Sequence, residues 1–373
     1  LIKTNRIFGL DLLRALAISL VLLSHCTFLL FPQSDTLLLN SIRAMGAIGV
    51  DLFFVLSGYL IGGILLKVIN NEQNLKWSRL FKFWKRRWLR TLPNYFLILV
   101  LNVVVALIIG LPLPENTILY GFFLQNFSWG HPNFFTEAWS LSIEEFAYIV
   151  LPFALFLVSI SFKKKSGNKV FFITTIGVIA LLTIFKIHYL LHTEITDYHQ
   201  WSWSFRKVVI YRMDSIYYGF LAVYCVKSFS NFIRNHKYRL FVVGLLVFLV
   251  LHACMYSFAL LPETHLWFYT LIYLQVIGVS LLLLFPYIIA LKGTAGLNPV
   301  IEFISTRSYA LYLVNYSLIL LHMQQWIATE GWGLWLKIGM VTLFMLMTFT
   351  VSNAVYLYFE KPILRYRDQK FPR

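Results

Sequence analysis

Residues 8–31 read FGLDLLRALAISLVLLSHCTFLLF, an apolar run of the length that crosses a bilayer as one helix. A hydrocarbon core about 30 Å thick takes roughly 20 helical residues. The run has no small-residue cleavage site and carries Arg14 and His25 within it, so it is expected to stay in the mature protein and not to leave as a signal peptide. Eleven residues at about 100° each make ~1100°, ~20° past three full turns, which puts Arg14 and His25 on one helical face ~16 Å apart. Ionisable groups at membrane depth are costly and seldom kept without a role, so these two are expected to line one cavity or groove.

The rest of the chain has the same character. Of 373 residues, 59% are hydrophobic and 13% charged, and the mean hydropathy is +0.72, which leaves too little polar surface for soluble domains. A net charge of +16 would suit a nucleic-acid binder, but the Lys and Arg residues lie between apolar runs and not on a polar domain, so no nucleic-acid partner is expected. Cys26, Cys225 and Cys254 sit in apolar stretches, as small buried hydrophobes do, and no metal is expected.

Spanning helices are predicted near 8–31, 46–66, 93–111, 138–160, 170–190, 209–226, 239–260, 268–290, 308–326 and 334–358. The fold class is therefore all-α, a polytopic membrane protein of about ten transmembrane helices. Segment 67–92 holds Lys67, Lys76, Arg79, Lys82, Lys85, Arg86, Arg87 and Arg90, and segment 161–169 holds Lys163, Lys164, Lys165 and Lys169. Segments 227–239 and 292–307 and the tail from Lys361 to Arg373 are basic too, whereas 112–137, 261–267 and 327–333 have neither Lys nor Arg. Basic loops stay in the cytoplasm, so both termini are expected there. One transmembrane unit over 1–373 is expected, with no further soluble domain after the last span.

Loops 112–137 and 191–207 are the largest on the opposite side. The second carries Trp201 and Trp203. Two readings stand open for these aromatics, an interfacial belt or a platform on which sugars stack.

Further polar residues mark candidate chemistry. A neutral imidazole can take the proton of a hydroxyl as its oxygen attacks an acyl carbonyl, which makes His25 a candidate general base; the other reading is a core histidine bonded to a neighbouring helix. Arg87 and Arg90, three apart, share a helical face and suit phosphates, or else anchor the helix at an anionic surface. Glu144 or Glu145 would orient a histidine or hold a sugar hydroxyl, or pair with a nearby arginine. Arg212 and Asp214 open the sixth span and would neutralise each other. Gly49, Ser57 and Gly58 permit close helix approach, with the charged Asp51 among them.

These residues fall in an ordered set of motifs that resembles the membrane-bound acyltransferase-3 family, which O-acylates cell-surface carbohydrates. Gly9 to Ala17 followed by His25 is similar to the family's arginine, ten residues, histidine signature. Gly49-Val50-Asp51-Leu52-Phe53-Phe54-Val55-Leu56-Ser57-Gly58-Tyr59 resembles its second-span motif, Arg87-Trp88-Leu89-Arg90 its paired arginines, and Trp139-Ser140-Leu141 with Glu144 its tryptophan-serine-leucine-x-x-glutamate motif. Tyr211 to Asp214 and Ser308 to Leu313 follow in the expected order. Where the pattern has a histidine after Leu313, this chain has Asn315, with His322 seven residues on.

The resemblance implies transfer of an acyl group, usually acetyl, from cytoplasmic acyl-CoA (acetyl-CoA) to a hydroxyl of a cell-surface or lipid-linked glycan, at a bacterial cytoplasmic membrane. It implies His25 and Glu144 as catalytic residues and Arg14, Arg87 and Arg90 as donor-binding. Asp51, Ser57, Trp139, Ser140, Glu145, Arg212, Asp214 and Asn315 are expected to contact the acceptor, and membrane lipid surrounds the whole. The rival is an exporter of a sugar or lipid without chemistry, which predicts paired broken helices in two halves.

Overall fold

The computed structural model describes residues 6–372 apart from 35, 72–75, 162–165, 328 and 330, so Lys163, Lys164, Lys165 and Arg373 lie outside the described residues. Among the described residues the regular structure is helical, with no strand. Apolar solvent dictates this, because a helix satisfies its backbone N–H and C=O groups within one segment.

The long helices are α1 (Phe8–Leu30), α2 (Leu37–Asn71), α3 (Trp77–Ile109), α4 (Ala138–Ser161), α5 (Gly167–His192), α6 (Asp214–Ser228), α7 (Ser230–Ser257), α8 (Leu266–Ile289), α9 (Leu297–Val314) and α10 (Leu334–Lys370). Eight of them, all but α6 and α9, are long and apolar enough to cross a membrane. The stretch 209–226 is interrupted at Met213, between Val209–Arg212 and α6. The stretch 308–326 runs from α9 through a wide π turn, Asn315–Leu320, into Leu321–Trp326. Helix α3 starts well before residue 93 and includes the basic run. Leu80 and Trp84, four apart, bury one stripe of that run while Pro93 sits inside the helix.

Side-chain pairs fix the directions of neighbouring helices. Asp11 with Ser305 and His25 with Asn315 show that α1 runs parallel to α9 and its continuation. Asp51 with Arg212 and Gly58 against Gly219 show that α2 runs parallel to α6. Trp84 with Tyr148 and Arg87 with Glu144 make α3 antiparallel to α4.

The α2–α6 crossing depends on glycine. A Cβ on Gly58 would lie 1.9 Å from the carbonyl oxygen of Ile216, and one on Gly219 would lie 2.0 Å from that of Val55. Lipid supplies little hydrophobic drive for helix pairing, so close backbone packing of this kind provides the attraction.

Candidate active site

The apolar pattern of α1 buries Ile18, Val21, Leu22 and Leu29 in the core, and His25 projects from the same helix towards the end of α9. Its Nδ1 lies 2.5 Å from Asn315 Oδ1, and its ring centroid lies 4.8 Å from that of Tyr316. Asn315 is fully buried at the start of the π turn, and its Nδ2 donates to the carbonyls of Leu311 at 2.7 Å and Tyr312 at 2.9 Å. Turning the amide over would set its oxygen against two carbonyl oxygens, so Oδ1 must face the imidazole. The contact is therefore a donation from His25 Nδ1–H, which leaves Nε2 with its lone pair. That nitrogen has no hydrogen-bond partner among the described residues, and the half-buried ring is not sealed from accessible space. The π turn is what sets Asn315 and Tyr316 around this ring; such turns recur at functional sites.

Towards the other end of α1, Arg14 Nη1 donates to Asp11 Oδ1 at 3.0 Å, and Asp11 also accepts from Arg6 Nη2 at 2.7 Å and from Ser305 Oγ at 2.7 Å. Arg14, Arg87 and Arg90 lie within electrostatic range of one another. Arg87 Nη2 donates to Glu144 Oε2 at 2.9 Å and to the Tyr148 hydroxyl at 2.8 Å, and that hydroxyl contacts Ser57 Oγ. Arg90 has neither an ion pair nor a hydrogen bond among the described residues. It remains exposed, with Glu360 as the carboxylate in electrostatic range.

The sequence motifs interlock. Thr91, one residue past Arg90, donates to Glu145 Oε1 at 2.8 Å and accepts on its carbonyl from the Tyr309 hydroxyl at 2.8 Å. Ser140 Oγ and the Tyr312 hydroxyl are 2.8 Å apart, Trp139 packs edge-on to Phe54, and Arg206 lies over the Trp139 ring at 5.1 Å.

Several expected residues are occupied elsewhere. Glu144 is paired with Arg87, while Asn315 orients His25; on α4, Glu144 lies on the turns that face the basic cluster of α3. Arg212 and Asp214 do not neutralise each other. Arg212 pairs with Asp51 and Asp214 with Lys186, all four being buried. His322 bonds the carbonyl of Ser317 at 2.9 Å through its Nδ1.

Three participants escaped the sequence reading. Lys186 had a usable signal, a lysine inside the apolar run 170–190. Tyr148 had none, being one aromatic among many. Glu137, just before α4, is buried and accepts from Ser317 Oγ at 2.6 Å through Oε1, while its Oε2 is buried without a partner among the described residues. Ser317 follows Tyr316, so this carboxyl belongs to the His25 neighbourhood.

Comparison with known proteins places these features. Residues 7–357 match the family model described as an acyltransferase domain. The chain is 26% identical over 390 residues to the peptidoglycan O-acetyltransferase OatA of Listeria monocytogenes, covering 95% of this chain and 55% of that protein. It is 27% identical over 390 residues to YrhL of Bacillus subtilis, which carries the same activity name provisionally, covering 98% of this chain and 56% of that one. A Staphylococcus aureus protein, provisionally named an O-acetyltransferase, is 27% identical over 342 residues, 85% of this chain and 51% of the relative. The chain thus spans about half the length of the curated relatives it matches. No solved structure matches it. With a helical bundle built around the expected motifs and a family model that spans nearly all of it, the chain belongs to the acyltransferase-3 family.

Proposed function

We propose that this protein moves an acetyl group from cytoplasmic acetyl-CoA to a hydroxyl of a cell-envelope glycan at a bacterial cytoplasmic membrane, with peptidoglycan the acceptor class that its relatives' names favour. One observation carries the reading: a histidine held by Asn315 in the tautomer whose free nitrogen is a base. Nε2 takes the proton from the acceptor hydroxyl as its oxygen attacks the thioester carbonyl, and the imidazolium returns that proton to the departing thiolate. The acyl donor supplies the activated carbonyl and its leaving group. Arg90, exposed and without a paired carboxylate, binds donor phosphate together with Arg14, and Arg87 is held in place by Glu144 and Tyr148. Ser140 and Glu145 contribute to the acceptor side, while the Asp51–Arg212 and Asp214–Lys186 pairs hold the helices that frame it.

The test is transfer of labelled acetyl from acetyl-CoA to peptidoglycan fragments by the full chain in lipid nanodiscs. Wild type is expected to form alkali-labile acetyl esters, and His25→Ala to lose roughly 100-fold or more of the rate. Normal transfer by a folded His25→Ala protein would remove His25 from the chemistry. An inert wild type would favour the exporter.

A further inference from the structure

The two large loops on the side where α4 begins, 112–137 and 191–207, come from distant parts of the chain and close on each other. Val209 N–H donates to the Asn126 carbonyl at 3.0 Å, and Asn126 Nδ2 ties the Lys207 carbonyl at 2.6 Å to that of Trp139 at 3.1 Å. Between the loops opens a cavity of about 400 Å³ lined by His131, Pro132, Asn133, His199, Gln200 and Trp203. That volume lies within the usual range for small-ligand sites, about 300–1,000 Å³.

Trp203 is fixed there on two sides. A Cβ on Gly130 would lie 2.0 Å from the indole ring, so only glycine lets that backbone reach it, and Nε1–H donates to the His131 carbonyl at 2.9 Å. The residue nevertheless remains 43% exposed. A tryptophan of an interfacial belt offers its N–H to headgroups and water; this one has given it to the protein and presents a rigid apolar face. Its companion Trp201 is fully buried.

The other lining groups are hydrogen-bonding and carry no fixed charge. Gln200 Oε1 accepts from the Thr196 N–H and hydroxyl, each at 2.8 Å, which leaves its Nε2 to donate, and Asn133 is exposed. His131 Nδ1 lies 2.7 Å from the Pro132 carbonyl and so bears the proton, and its Nε2 is a buried acceptor without a partner among the described residues. No Lys, Arg, Asp or Glu lines the cavity, so a phosphate or a charged peptide would find no direct ion-pair partner in its wall. A fixed aromatic face beside amides suits a pyranose, whose C–H face packs on the ring while its hydroxyls bond the amides.

We infer that this cavity is an acceptor subsite, which holds one uncharged pyranose ring of an oligosaccharide strand while another ring of the strand is acetylated. The inference rests on the proposed function and extends it to a second point of glycan contact.

The probe is the β-1,4-linked tetramer of N-acetylglucosamine, used with the full chain in nanodiscs, with binding measured by calorimetry and acetylation by ester formation. Trp203→Ala is expected to weaken tetramer binding about tenfold or more and to raise the acceptor KM alike, with acetyl-CoA affinity unchanged. If Trp203→Ala does not fold, the double variant Asn133→Ala/Gln200→Ala decides, with a weakening of several-fold expected. Wild-type binding by folded variants, or no tetramer binding by wild type, overturns the subsite. Tetramer bound through Trp203 while peptidoglycan fragments are never acetylated would uphold the subsite and overturn the proposed function. Tetramer acetylated with an unchanged KM in the variants would do the reverse.

Discussion

His25 and Asn315, separated by 290 positions, meet at 2.5 Å because α1 and the continuation of α9 run side by side in the same direction. The contact decides which imidazole nitrogen is free to accept a proton. Asn315→Ala leaves Nδ1 without its acceptor, so both tautomers and more than one ring orientation become available. The expected result under the proposed function is a fall in kcat of roughly 100-fold with the KM for acetyl-CoA unchanged, since losing tautomer control costs heavily where a histidine is the base. A KM effect alone would assign Asn315 to binding.

Arg90→Ala tests the donor side. The residue is exposed and has no direct partner among the described residues, so its removal breaks no internal bond. A charge-assisted hydrogen bond contributes about 1.5–3 kcal/mol, so the acyl-CoA Kd is expected to rise roughly tenfold or more while the melting temperature holds. Unchanged affinity, measured by calorimetry, would rule Arg90 out as a phosphate contact.

The Asp51–Arg212 pair is a prediction about stability. Both residues are buried, and removing one partner leaves a charge without compensation. Asp51→Ala is expected to cost about 3–5 kcal/mol, and the double variant Asp51→Ala/Arg212→Met to recover much of it. Melting in detergent reads both; additive losses would show that the two side chains act independently.

Glu137 carries a pH prediction. Burial pushes its carboxyl up to about 7, and the hydrogen bonds from Ser317 only partly oppose this. The folded state therefore favours the neutral form. The stability it contributes is complete below the ordinary value of 4.5 and is lost as the pH rises through about 7. Glu137→Gln keeps the neutral shape, so its melting temperature should vary less than that of wild type between those limits. Parallel profiles would refute the assignment.

The apolar runs, the basic stretches between them and the motif order were legible because each is a property of contiguous residues: hydropathy, charge and spacing; of the ten expected spans, eight are matched among the described residues by helices long and apolar enough to cross a membrane. Helical arithmetic sets Arg14 and His25 on one face; in the structure His25 meets Asn315 directly, whereas Arg14 bonds Asp11, which accepts in turn from Ser305 of α9. Arg212 and Asp214 lie on either side of the interruption at Met213, and their side chains point to different neighbours. Their partners, Asp51 and Lys186, lie on other helices.

By itself the sequence determined that the chain is a helical membrane protein with a histidine and an arginine aligned along its first span. Only the tertiary structure decided that Asn315 holds that histidine, that Glu144 serves Arg87, and that two loops build a cavity around Trp203. Helix formation is settled within each segment by its own backbone hydrogen bonds. Which side chains meet is settled by how the segments pack, and that depends on contacts such as Gly58 against Gly219, which no local window contains.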